Sequence, residues 1–174
     1  IKEKIMLGVG CEFPPFDLTG VDHNNNMVEV SEEDFDGEWA VIYFYPKDFT
    51  FICPTEIAAM DELSSVCRVI GISGDNEFCK LAWKEDNPMI GSIQHVLAAD
   101  CGLGLSDTLG IVDYNAGVCL RATYIVDPDM MIQHVSVNAL DTGRNADEVL
   151  RTLKALQAGG LTGCSWQEGD EFVA

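Results

Sequence analysis

Short apolar runs alternate along this chain with longer segments whose apolar residues recur every three or four positions. Val41-Ile42-Tyr43-Phe44-Tyr45 is a continuous apolar and aromatic run closed by Pro46, which predicts a strand buried on both faces. Ile57, Met60, Leu63 and Val66 then follow at helical spacing with small or polar residues between them. Val69-Ile70-Gly71-Ile72-Ser73 reads as a second buried strand. Asp75-Asn76 offers a cap for a helix in which Phe78, Leu81, Ala82 and Trp83 share one face. Residues 95–99 contain a further short strand, and residues 122–126, apolar and β-branched, form another. Asp127-Pro128-Asp129-Met130 is a turn with proline at its second place, and residues 131–137 return as the second arm of a hairpin. Asn145, with Glu148 three residues later, resembles a capping box at the start of a helix through Val149, Leu150, Leu153 and Leu156. Gly159-Gly160 ends that helix. Nearer the N-terminus, Asn24-Asn25-Asn26 marks a turn between two short segments, and Asp36-Gly37 marks another before the Val41 strand. Strand–helix–strand–helix followed by a hairpin and a closing helix predicts an α/β fold, a central mixed β-sheet flanked by helices.

Composition narrows the function classes. The chain has 174 residues, enough for one well-buried core, and 47% of them are hydrophobic, so disorder is excluded. Lys and Arg total 10 against 29 acids, a formal net charge of −19. So acidic a surface repels phosphate backbones and anionic lipid, which argues against nucleic acid and membrane as partners. No apolar run approaches the ~20 residues of a membrane span. Lys2 and Lys4 precede Ile5-Met6-Leu7, an apolar stretch too short for a signal peptide and interrupted by Gly8, so a cytoplasmic location is expected. The seven cysteines, Cys11, Cys53, Cys67, Cys79, Cys101, Cys119 and Cys164, are odd in number and widely spread. That argues against a disulfide framework. No pair is spaced C-x-x-C, which leaves neither a structural zinc site nor a thioredoxin-type dithiol, and no cofactor or metal is expected.

One cysteine has a chemical setting. Pro46 to Ile57 reads PKDFTFICPTEI, with Cys53 between a buried strand and a helix and Pro54 directly after it. Proline is favoured at the first helical position, so Cys53 is expected to cap the helix. Unpaired N–H groups and the helix dipole stabilise an anion there, which favours a reactive thiolate over the inert buried thiol that most free cysteines become. Thr50 could hydrogen-bond the thiolate or a bound substrate oxygen. Arg121 precedes the strand of residues 122–126 and is either a strand-edge surface residue or the cation a thiolate needs. Glu56, at the third helical position if Cys53 is the cap, either stabilises the first turn or orients an arginine. Cys164, in Gly163-Cys164-Ser165-Trp166 past the last helix, is either an incidental thiol or a second redox cysteine. The other five cysteines read as structural or incidental. A cysteine hydrolase would need His23, His95 or His134 beside Cys53, which spacing does not decide.

The segment YFYPKDFTFICPTE resembles the active-site segment of the typical 2-Cys peroxiredoxins, and among them the bacterial alkyl hydroperoxide reductase group of the AhpC/TSA family, with its mycobacterial-like branch. VIGISGDNEF with Trp83, RATYIVDP, the GRNADEVLR stretch and the Cys-x-Trp tail agree with it, in order, over nearly the whole chain. The resemblance implies a thioredoxin-like fold over residues 1–160 and a tail, 161–174, carrying a second cysteine. It implies reduction of hydrogen peroxide and organic hydroperoxides, with Cys53 as the attacking thiol. Thr50 would bond the peroxide, Pro46 would shield the pocket, Arg121 would polarise the peroxide and hold the thiolate, and Glu56 would orient Arg121. A sulfenic acid at Cys53 would condense with a resolving thiol, and an external dithiol reductant (thioredoxin-like, a flavoprotein reductase or an AhpD-like protein) would reduce the disulfide. Homodimers assembled into rings are implied as well. The family's resolving cysteine usually lies four residues before the tail tryptophan, where this chain has Thr162. Cys164, two before Trp166, is where the mycobacterial-like branch carries an additional cysteine, and it becomes the candidate resolver, with a one-cysteine cycle or Cys119 as alternatives. Neither the Gly-Gly-Leu-Gly insertion nor the Tyr-Phe tail of over-oxidation-sensitive members is found, so resistance to over-oxidation is expected. A thiol-disulfide oxidoreductase and an oligomeric holdase chaperone are the competing readings.

Overall fold

The computed structural model describes residues 5–174; Lys2 and Lys4 of the N-terminal reading lie outside them. The larger of two compact units ends at Arg144, and the smaller is Asn145–Ala174. In the larger unit β1 (Asp17–Val21) and β2 (Met27–Ser31) form a hairpin. Its turn is tied by the Asp22 carboxylate, which accepts the N–H groups of Asn24 and Asn26. β3 (Ala40–Phe44), α1 (Cys53–Met60), β4 (Arg68–Ser73), α2 (Glu77–Asp86) and β5 (Val96–Ala99) follow, then α3 (Gly104–Leu109) and the two-residue strands β6 (Val112–Asp113) and β7 (Val118–Cys119). β8 (Arg121–Val126) and β9 (Ile132–Asn138) close the unit. Seven strands make one sheet in the order β2-β1-β5-β4-β3-β8-β9, with β3, β4 and β5 parallel and the remaining pairs antiparallel. This is the mixed sheet with helices that the pattern predicts.

Strand periodicity sorts the core. Ile42, Phe44, Ile70, Ile72, Ala122, Tyr124 and Val126 lie two apart along three adjacent strands and pack in one cluster with Phe13, Phe16 and Phe35. Phe13 and Phe44 meet the Tyr124 ring edge-on at 5.5 and 6.0 Å. Tyr43, by the same alternation, points to the other face.

Three expectations need correction. The thiol helix begins one residue early: the Ile52 carbonyl accepts the N–H of Thr55 at 3.0 Å and of Glu56 at 3.3 Å, so Ile52 is the cap and Cys53 the first helical residue. Its α-helical part ends at Met60, and Leu63 lies in a 3₁₀ turn, Asp61–Ser65. In α2 the buried face carries Lys80, Trp83 and Lys84, whereas Phe78 is exposed. The Asn76 cap is formed, its side chain accepting the N–H of Cys79 at 2.9 Å.

In the smaller unit α4 (Ala146–Ala158) starts at Asn145, whose side chain accepts the Glu148 N–H at 3.0 Å, and ends at Gly159 with φ 73°. Arg151 donates to the Trp166 carbonyl at 3.1 Å, and the Trp166 and Phe172 rings stack at 6.2 Å.

Candidate active site

The register of the sheet brings the chemistry together. Tyr43 pairs with Thr123 across the antiparallel β3–β8 ladder, so Tyr45, just beyond the end of β3, stands level with Arg121 at the start of β8. The loop from Pro46 to Ile52 leaves β3 at that level and delivers Cys53 to Arg121. The Cys53 side chain is 1% exposed, and Arg121 Nη1 lies 3.3 Å from its sulfur. The same Nη1 donates to Glu56 Oε2 at 2.7 Å, and Arg121 Nε donates to the Leu140 carbonyl at 2.7 Å. Burial opposes the charge on Arg121, but Cys53 and Glu56 outweigh it and hold the guanidinium above its ordinary value. Cys53, Arg121 and Glu56 are thus brought together.

A second arginine, absent from the sequence reading, completes the cluster. Arg144 donates from its backbone N and from Nε to Glu56 Oε1, both at 3.0 Å, and from Nη2 to Oε2 at 3.3 Å. Its Nη1 donates to the Ala122 carbonyl at 2.9 Å and to Thr123 Oγ1 at 3.0 Å, and its Nη2 donates to the Phe44 carbonyl. It lies in the loop after β9, where no periodicity marks a residue. The scarcity of cations and its place in the GRNADEVLR stretch were the signals for it. Two guanidinium groups therefore face one carboxylate, which leaves a surplus of one positive charge beside the sulfur.

The loop that carries Thr50 is fixed by buried polar contacts. Thr50 Oγ1 donates to the Lys47 carbonyl at 2.7 Å, so its lone pairs are available to accept. Pro46 is buried, and Phe49 holds a left-handed φ of 55°. Asp48 anchors the loop: its N–H donates to Asp75 Oδ2 at 2.7 Å, and its carboxylate accepts from Ser73 Oγ at 2.9 Å and from Lys80 Nζ at 3.3 Å. Lys80, fully buried, also donates to Ser73 Oγ at 2.5 Å and to the Tyr45 hydroxyl at 3.2 Å.

Cys164 lies in the smaller unit. It is exposed, at the edge of a groove of about 500 Å³ lined by Arg151, Leu156, Gly160 and Thr162. Cys119 is buried, its thiol donating to the Tyr45 carbonyl at 3.0 Å, and burial pushes it up to about 12. Burial likewise pushes Cys67 up to about 12 and Cys79 up to about 11. His95 is held by Tyr43 and Asp61, and the hydrogen bond to the Cys53 sulfur comes from an arginine. Among the described residues no group of three or more His, Cys, Asp or Glu could hold a metal ion.

Comparison with known proteins places the chain in a family. The family model described as AhpC/TSA matches residues 9–135. An alkyl hydroperoxide reductase C of Mycolicibacterium smegmatis is 39% identical over 97% of this chain and 94% of its own length. That of Mycobacterium tuberculosis is 35% identical over 95% and 92%. Among solved structures, the reduced 2-Cys peroxiredoxin of Plasmodium vivax superposes with a TM-score of 0.89 at 34% identity, covering 95% of this chain and 92% of that one. Mycobacterium tuberculosis AhpC gives 0.81 at 35% identity over 88% and 99%. With a model match over most of its length and relatives of this similarity, the chain belongs to the AhpC/TSA family.

Proposed function

We propose that this protein reduces hydroperoxides with Cys53 as the attacking thiolate, Arg121, Thr50, Glu56 and Pro46 as the rest of the site, and Cys164 as the resolving thiol. Thiol-dependent peroxidase activity follows from the family. The single observation that carries the assignment of residues is the buried Cys53 sulfur 3.3 Å from an Arg121 guanidinium that Glu56 holds in place. The thiolate attacks one peroxide oxygen, the O–O bond breaks, and the departing oxygen takes a proton and leaves as water or an alcohol. Sulfur is oxidised by two electrons to a sulfenic acid while the peroxide is reduced. Arg121 donates to the oxygen on which charge develops. Thr50, whose own proton is engaged by Lys47, accepts from the peroxide O–H. Pro46 closes the pocket without adding an N–H of its own.

A thiol then displaces water from the sulfenic acid and forms a disulfide. The exposure of Cys164 favours it as that thiol, while the burial and raised pKa of Cys119 oppose the alternative. An external dithiol reduces the disulfide. Homodimers assembled into rings, and a cytoplasmic location, complete the reading; no helix among the described residues is long and apolar enough to cross a membrane.

The test is peroxide consumption by the pre-reduced protein, followed by peptide mapping without reductant. Consumption with a Cys53–Cys164 disulfide is expected. Consumption with another disulfide, or with a lasting sulfenic acid, overturns the assignment of Cys164. No consumption overturns that of Cys53.

A further inference from the structure

Tyr43 stands behind the site and is fully buried. The Arg144 guanidinium lies over its ring, with Cζ 5.1 Å from the ring centroid, a cation–π arrangement. Its hydroxyl is 2.6 Å from His95 Nε2, and His95 Nδ1 is 2.7 Å from Asp61 Oδ1. That carboxylate oxygen also accepts the backbone N–H groups of Gln94 at 2.8 Å and His95 at 3.3 Å. A carboxylate accepts only, so in the neutral ring Nδ1 carries the proton and Nε2 accepts from the Tyr43 hydroxyl. Burial pushes the phenol well up and the imidazole down, so both stay neutral near pH 7.

Two features show that this chain of contacts is built into the fold. Asp61 is the C-terminal cap of α1, so the helix that opens with Cys53 closes on the carboxylate at the end of the chain of contacts. Gly71 is the register partner of Tyr43 on β4, and a Cβ there would lie 2.5 Å from the Tyr43 hydroxyl oxygen and 2.6 Å from its Cζ. A central strand gives up a side chain at this position, and the phenol occupies the space.

We propose that Asp61, His95 and Tyr43 form a positioning relay for Arg144 and, through the shared Glu56 carboxylate, for Arg121. The hydroxyl tether fixes the tilt and height of the ring under Arg144. Arg144 in turn engages both oxygens of Glu56, and Glu56 holds the nitrogen that faces the sulfur. The inference rests on Cys53 being the reacting thiol. Tyr43, His95 and Asp61 touch no reacting atom.

Tyr43→Phe keeps the ring and removes the tether, and His95→Leu removes the tether's anchor. Oxidation of Cys53 by hydrogen peroxide is followed by stopped flow and by mass spectrometry of the intact protein. Because displacement of about 1 Å can cost up to ~100-fold, each variant is expected to react about 3- to 10-fold more slowly. The double variant should lose no more than either single one, since both break one chain of contacts. In an Arg144→Met background Tyr43→Phe should cost no further rate, although it should still lower the melting temperature; a merely structural role would leave the two rate losses additive. Full rate in Tyr43→Phe, or additivity with Arg144→Met, would overturn the relay. If His95→Leu fails to fold, Tyr43→Phe and its cycle with Arg144→Met decide alone. Wild-type protein that leaves Cys53 unoxidised would overturn the site assignment and the relay together, whereas equal rates in a reactive wild type and Tyr43→Phe overturn the relay only.

Discussion

Replacing Arg121 with methionine keeps most of the side-chain bulk and removes the donor 3.3 Å from the Cys53 sulfur. Two losses follow, and their sizes separate them. The first is thiolate. A thiol of ordinary pKa near 8.5 is about 3% ionised at pH 7, so the whole range from unassisted to fully ionised spans roughly thirty-fold. The second is stabilisation of charge on the departing oxygen, for which one well-placed donor is worth about 10²- to 10³-fold. The Coulomb attraction between unit charges at 3.3 Å with an effective dielectric of 20 is about 5 kcal/mol, more than the first loss requires, while the second draws on the separate interaction with the departing oxygen. Glu56 stays paired with Arg144 in the variant, so the helix start keeps one of its two buried ion pairs. Arg121→Met is therefore expected to lose at least about 100-fold in the second-order rate of Cys53 oxidation near neutral pH, of which raising the pH to about 9.5 restores no more than about thirty-fold. Stopped-flow rates at limiting peroxide across that range give both numbers, with circular dichroism as the check on folding. Full recovery at high pH would mean that Arg121 acts on ionisation alone and would refute its role in bond breaking.

Lys80→Met strips the buried Asp48 carboxylate of its cation and should lower the unfolding free energy by about 3–5 kcal/mol; a urea midpoint close to wild type would show that the pair is dispensable. Acid should weaken the protein through His95. Burial lowers its pKa, Lys84 adds to this, and the Asp61 carboxylate pulls the other way without cancelling it, while the Tyr43 hydroxyl faces Nε2. The unfolded chain takes up this proton near the ordinary value of 6.5 and the folded one only at lower pH, so the contribution is complete above that value and declines as pH falls through the window below it. His95→Leu should flatten this part of a melting-temperature profile, and a wild-type profile that rises on acidification there would contradict the sign. Asp61 acts in a lower window, since hydrogen bonds from His95 and Gln94 outweigh its burial and hold the carboxyl below its ordinary range. Cys164→Ser should leave the first oxidation of Cys53 unchanged and let a sulfenic acid accumulate that dimedone traps; unchanged disulfide yield would point to another resolver.

How much could be read beforehand depended on whether apolar side chains carried the information. β3, β4 and β8 are buried on both faces, and their apolar runs announced them. The two-residue strands β6 and β7 are too short to show a period. In α2 the inward face was misread because lysines occupy it. Lys80 is buried on Asp48, Ser73 and Tyr45, and Lys84 donates to the Asp22 carbonyl at 2.5 Å, partners that hydropathy does not reveal. The motif around Cys53 marked the thiol, the hydroxyl and the proline, while Arg121 was a candidate whose distance only the β3–β8 register supplies. Arg144 went unseen for a different reason: it makes its contacts from a loop, one residue before the Asn145 cap, where neither strand nor helix spacing fixes a direction.

The arithmetic of charge in the cluster carries a further consequence. One carboxylate between two guanidinium groups leaves a single positive charge that a thiolate balances. A sulfenic acid is neutral. Once the sulfur has reacted, Arg121 keeps Glu56 at 2.7 Å, but the cluster is left with one positive charge and no anion at the sulfur, and an unbalanced charge in a dry interior is costly. If Cys53 is the reacting thiol, the contact between its sulfur and Arg121 is then weaker, and the first turn of α1 loses part of what holds it. On that assignment the lost negative charge is what distinguishes a spent sulfur from a ready one.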